Sequence, residues 1–285
     1  MVKMRKVLST AVNNIRKWPS NPRILILFIL LIIFLVNYLK PIINFSNSTG
    51  YRVTPWVFPF FADSVFTQMV MMFGIVFLFC DAPFMDVTQP YSIIRSGRTR
   101  WGLGQVLYIM VSTAIYFSFL AVVSCIIISP NMFLSNEWGK VLGTLAQTNA
   151  GQVFNITLPI NYEIQSIYTP VHAFFLSLIL EWCAGTLLGL IIFIFNINFN
   201  RAIGAIVASV MVCLDMVIQN ALPFYTYHFS ILSLARLSIL DTSGLSTRPT
   251  DIYAFSFFAV GIVLSGFIAV FSARKRSVNI YLRYN

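Results

Sequence analysis

Residues 81–105 read DAPFMDVTQPYSIIRSGRTRWGLGQ, the most polar internal piece of the chain that lies between two long apolar runs. It carries Arg95, Arg98 and Arg100, with no lysine and only two acids, Asp81 and Asp86. Positively charged loops of membrane proteins stay on the cytoplasmic side, so this stretch is predicted to face inward. It also reads as folded. Thr88 can cap a short helix, with Gln89 and Pro90 in the first turn, where a missing N–H costs nothing. Tyr91, Ile93 and Ile94 supply apolar knobs, and Gly97 can end the helix. Two readings of such a helix stay open at this point: a docking element for a cytoplasmic partner, or an ordinary positive loop resting on lipid headgroups.

The flanking runs set the class. The chain of 285 residues is 58% hydrophobic and 10% charged, with mean hydropathy +0.81. Soluble domains carry about 25% charged residues. The runs are long and uniformly apolar, whereas barrel strands alternate. An all-α polytopic membrane protein is therefore expected. The net charge of +10 would suggest nucleic acid in a soluble protein, but the cations here stand at the ends of apolar runs, so no nucleic acid is expected. Cys80, Cys125, Cys183 and Cys213 show no metal-type spacing and read as small packing residues.

Working outward from 81–105, span two is predicted from about Phe61 to Cys80 and span three from Trp101 to Ile128. Upstream, span one runs from Ile24 to Ile43. Before it, Met4, Val7, Leu8, Ala11, Val12, Ile15 and Trp18 recur at helical spacing against Lys3, Lys6, Asn13, Asn14, Arg16 and Lys17. Residues 1–20 therefore read as a basic amphipathic helix in the inner membrane interface, and residues 21–285 as the transmembrane domain. Downstream, span four runs from Pro170 to Phe195, span five from Ala202 to Leu222 and span six from Ile252 to Ser272. Asn196 to Arg201 is a tight inner turn. The extracytoplasmic segments are 44–60, 129–169 and 223–251. In the second, a helix from Ser135 through Gln147 is predicted as part of a small ordered element. In the third, Tyr225 to Leu240 is too polar to span but apolar enough to re-enter the bilayer or lie at its surface. With both termini inside, fourteen of the nineteen Lys and Arg fall on inner segments, which favours six spans. The remaining five are Lys40, Arg52, Lys140, Arg236 and Arg248.

No catalytic constellation is visible. There is no phosphate-binding GxxxxGK[ST], no HExxH and no GxSxG. His172 and His228 stand alone, and no metal site is read. Two acids fall within spans: Glu181 near the middle of span four and Asp215 in the outer half of span five. A charge at the bilayer centre costs about 2.5–3.5 kcal/mol on insertion scales, so such groups face the protein interior or a wet cavity. They are candidates for lining a substrate path. The structural alternative is a helix–helix hydrogen bond, with Gln219, Gln105 or a backbone carbonyl as partner. Gly185 with Gly189, Gly204 with Ala208 and Gly261 with Ser265 keep the four-residue spacing of small residues that lets helices approach closely.

The basic amphipathic N-terminal helix, six spans with both ends inside, the folded Arg loop and the semi-polar stretch before span six together resemble the membrane subunits of ABC exporters of the type 2 permease family. The resemblance covers essentially the whole chain and rests on layout, with DAPFMDVTQPYSIIRSGRTRWGLGQ similar to the inner loop of bacterial permeases of this group. It implies a coupling helix from Thr88 to Arg95 that seats on a separate ATPase subunit through Tyr91, Ile93 and Ile94. Arg95, Arg98 and Arg100 would contact that subunit or the headgroups. It also implies a chain that is not itself an enzyme and holds no cofactor, with ATP and Mg on the partner subunit. A second copy or a paralogue of the permease, and membrane lipids, are the other implied partners, and the bacterial cell membrane is the implied location. Residues 129–169 depart from the pattern, being longer than the usual outer loop between spans three and four. Competing readings are a non-transporting accessory or immunity subunit, a secondary transporter using Glu181, and a membrane-embedded enzyme.

Overall fold

Asn21, Pro22 and the apolar run behind them start the first long helix. The Asn21 side chain accepts from the Arg23 N–H, and Pro22 stands where no N–H is needed. The computed structural model describes residues 2–83, 93–94, 96–199, 202–242, 244 and 246–275. Helix α1 covers Val2–Arg16, and α2 covers Pro22–Thr49, ending at Gly50 in the left-handed region. Then come α3 (Phe58–Asp63), α4 (Val65–Phe79) and α5 (Arg98–Ile128). At one end of the bundle lie α6 (Gly139–Gln147), α7 (Ala150–Val153) and α8 (Tyr162–Ile167). Helices α9 (Pro170–Asn198), α10 (Ile203–Ala221) and α11 (Asp251–Lys275) follow. Among the described residues there is no strand, only single bridges of Val53 to Met132 and Asp241 to Thr250.

Among the described residues five helices, α2, α5, α9, α10 and α11, are long and apolar enough to cross a membrane. The protein is a helical, membrane-embedded one. The expected second span is different. It is divided at Ser64, whose extended backbone separates α3 from α4. The Thr67 hydroxyl donates to the carbonyls of Phe61 and Ser64, which ties the broken turn together. At 15 residues α4 rises only about 22 Å, short of the ~30 Å hydrocarbon core.

Helix α9 is the centre of the bundle and touches α3, α4, α5, α10 and α11. Its glycines allow this. A Cβ on Gly185 would stand 2.7 Å from the Phe117 ring, and one on Gly189 would stand 2.8 Å from Ile109. At the end opposite α6, α7 and α8, Asn196 replaces the missing backbone partners of a tight hairpin. Its amide donates to the carbonyls of Cys80 and Ala82, and its oxygen accepts from Gly204 N–H at 2.8 Å. Gly204 is held against Asn196 and the Ile192 carbonyl, leaving no room for a side chain.

Helix α1 is not merely laid on a surface. Thr10, Ala11 and Asn14 are buried against α5, while Leu8 and Val12 are exposed. Asn14, which the helical pattern puts on the polar side, donates to Gln105 at 3.0 Å. The face that packs is thus rotated away from the centre of the apolar stripe, leaving Leu8 and Val12 outward. Gln105 is therefore the partner of Asn14 and not of an intramembrane acid.

At the end that carries α6, α7 and α8, segments 44–60 and 129–169 form one small cap. Val53 exchanges backbone hydrogen bonds with Asn131 and Phe133, and Trp56 donates to the Ser135 carbonyl at 2.7 Å. The expected helix from Ser135 begins only at Gly139. Ser135 instead closes a turn by accepting from the Glu137 N–H. Gly139 has φ +76°, with Thr54 so close that a Cβ would meet it at 2.9 Å. Glycine is required there, and the helix can start only after that bend. Val141, Leu142, Leu158 and Ile164 give the cap its own buried interior.

Candidate functional site

Two places draw together the residues singled out in the sequence. The first is the positively charged end between α4 and α5. Thr88, Tyr91 and Arg95 lie outside the described residues. Ile93 and Ile94 are helical, but they part company. Ile93 is partly buried against the bundle, whereas Ile94 is 82% exposed. Gly97, with φ +84°, accepts the turn: its N–H donates to Ile93 O at 2.8 Å, and its carbonyl receives Trp101 N–H to begin α5. Arg98 is exposed, and Arg100 is half-buried near the Ser96 carbonyl. Nearby, Arg23 pairs with Asp81 and also donates to Cys80 Sγ, tying α2 to the end of α4. An apolar side chain is thus held out beside exposed cations at the end of the bundle.

The second place is buried beneath the outer cap. After α10, the chain does not form a continuous re-entrant helix. It makes two 3₁₀ turns, Phe224–Phe229 and Ser233–Ala235, and residues 230–240 sink into the bundle. Arg236, counted in the sequence with the outer cations, is 1% exposed. Its Nη2 forms an ion pair with Asp215. Asp215 Oδ1 also accepts from the hydroxyls of Ser230 and Ser233, at 2.5 and 2.6 Å. Gln219 reaches Ser233 Oγ at 3.4 Å. None of the partners expected of Asp215 bonds it directly: Gln219 reaches only Ser233, Gln105 pairs with Asn14, and Asp215 is held by Ser230, Ser233 and Arg236. An intramembrane acid calls for a buried cation; the 21-residue separation, across an irregular segment, has no periodic signature.

Glu181 lies in the same region. Gln68 of α4 donates to Glu181 Oε1 at 2.6 Å and to Leu232 O at 3.0 Å. One amide thereby joins α4, α9 and the inserted segment. Both intramembrane acids are fully enclosed in this conformation. Towards the cap, Asp63 is half-buried, accepting from Ser238 N–H and from Asn161. Arg248 then links Ser238 O to Glu163 of α8 at the half-exposed rim. His172 lies tilted against the Tyr168 ring and His228 meets the Tyr253 ring edge-on, both apart from the hydrogen bonds of this network.

Chemically, this cluster is an anchor. One cation, several hydroxyls and amides and three carboxyls fasten an irregular segment into a helical bundle. The chain matches no protein-family model, no curated protein and no solved structure.

Proposed function

We propose that the chain is the membrane subunit of an ATP-driven exporter of the ABC type 2 permease class, in a bacterial cell membrane. In this reading, α3 and α4 together make the sixth crossing, and both termini are cytoplasmic. A separate ATPase subunit binds ATP and Mg, and a second permease chain completes the path. The turn carrying Ile93, Ile94, Arg98 and Arg100 transmits the motion of the ATPase, with Thr88, Tyr91 and Arg95 completing the contact. The segment around Arg236 is the outer closure of the path, with Asp215 and Glu181 holding it shut in this state.

The observation that carries the reading is Ile94. It is 82% exposed on a turn fixed by Gly97 and by its half-buried neighbour Ile93, at the positively charged end of the bundle. A large apolar side chain close in sequence to the exposed Arg98 and held on a folded turn suits a protein partner better than water. ATP binding to the partner would then select between states of the membrane subunit that differ in how this turn is seated.

The test is the pair Ile94→Asp and Arg98→Glu, made together. The variant should insert in the membrane normally and lose co-purification with the ATPase. Retained association in a correctly inserted protein would refute the docking assignment.

A further inference from the structure

The buried cluster leaves five polar atoms without a protein partner. They are Nε and Nη1 of Arg236, Oε2 of Glu181, Oε1 of Gln68 and Oγ of Ser177. All four residues are enclosed, none more than 1% exposed. They also belong together. Gln68 bonds both Glu181 and Leu232 O, four residues before Arg236. Ser177 is one turn outward of Glu181 on α9. The guanidinium of Arg236 lies within Coulombic reach of both Glu181 and Asp63.

The chemistry of the set is uneven. Two of the atoms are obligate donors, two are acceptors as drawn, and one hydroxyl can do either. A proton on Glu181 would satisfy Gln68 Oε1, but the two guanidinium donors would still face no acceptor. Water donates and accepts, and buried water makes about three hydrogen bonds to groups of this kind. A polar line continues outward from the cluster. Asp63, Asn161 and Ser238 follow Arg236, and then Arg248 and Glu163 reach the half-exposed rim.

We propose that Arg236, Glu181, Gln68 and Ser177 form an internal water site that bridges the Asp215–Arg236 ion pair to Glu181. It hydrates the mid-bilayer carboxyl from the outer face of the protein. The site is a property of this chain alone and holds whether an ATPase or an ion gradient drives it.

The test uses the full chain in bilayers. Polarisation is transferred from mobile water into arginine side chains by solid-state NMR, and the Arg236 Nε signal is identified by its loss in Arg236→Lys. The Arg236 signal should appear alongside that of the part-exposed Arg248. If it stays dark when Arg248 is saturated, the site is dry and the inference fails. A second measurement avoids altering the ion pair. Ser177→Cys and, separately, Thr186→Cys are placed in a chain whose four native cysteines are replaced. Silver ion, a thiol probe of nearly water size, is added on the outer side. Later maleimide labelling of the denatured protein should be lost for Ser177→Cys and kept for Thr186→Cys, which packs deeper against Thr113. Full labelling of Ser177→Cys after silver treatment would overturn the proposal.

Discussion

Arg236 is where most of the buried polar structure meets. A guanidinium in a membrane interior survives only when a carboxylate and further hydrogen bonds surround it. Asp215 supplies the charge, while Ser230 and Ser233 take up its other oxygen. Removing one partner leaves an uncompensated charge. Asp215→Leu should therefore lose about 3–5 kcal/mol of unfolding free energy, measured by denaturation in mixed micelles. Asp215→Leu combined with Arg236→Met should lose much less than the two single losses added, because both charges leave together. Additive losses would mean that the pair is not the anchor described. The sequence makes Asp215 conspicuous and leaves Arg236 hidden. An acid inside an apolar run violates a pattern, whereas a cation in a semi-polar segment looks like any outer-loop charge. Only the folding back of residues 230–240 distinguishes it.

Among the elements, the long apolar runs were legible to within a few residues, because length and hydropathy alone decide what can cross a bilayer. The breaks were not. Ser64 divides the second run through local hydrogen bonds from Thr67, and Gly139 delays the outer helix because Thr54 crowds it. Both depend on side chains meeting in space. The face on which α1 packs is set in the same way: Gly104 of α5 makes the groove it enters. A Cβ there would lie 2.7 Å from Thr10 and 3.1 Å from the Val7 carbonyl. Gly104→Ala should accordingly release α1, read as faster tryptic cleavage at Arg16 and Lys17 in the assembled protein. Gly266→Ala is the control. Its nearest neighbour would be Val106 at 3.8 Å, an ordinary contact, and alanine favours the helix by about 1 kcal/mol over glycine. That variant should be as stable as the parent or slightly more so, and its cleavage pattern unchanged.

At the scale of the molecule, the bundle has two unlike ends. One gathers Arg16, Lys17, Arg23, Arg98, Arg100, Arg274 and Lys275, with Ile94 standing among them. The other carries the cap of α6, α7 and α8 and the segment sealed by Arg236. If α3 and α4 complete a sixth crossing, these ends face opposite sides of the membrane. A cysteine at Leu134, which is 80% exposed on the cap, should react with an impermeant thiol reagent applied to intact cells. A cysteine at Ile94 should react only after the membrane is opened. Labelling of both from one side would remove the topology on which the proposed function depends. The role of the two buried acids is the least legible feature. Glu181 and Asp215 were visible as candidates, but whether they line a path or lock a closure depends on the irregular segment between α10 and α11.

The most direct test of the central claim is purification of the native complex in mild detergent, followed by identification of its partners and measurement of ATP hydrolysis. The account predicts an ATPase subunit with a phosphate-binding loop in an amount comparable to this chain, with ATP turnover that falls when Ile94 and Arg98 are changed. A pure preparation without any ATPase, active when only a proton or sodium gradient is supplied, would contradict it and would make Glu181 the residue through which the gradient acts.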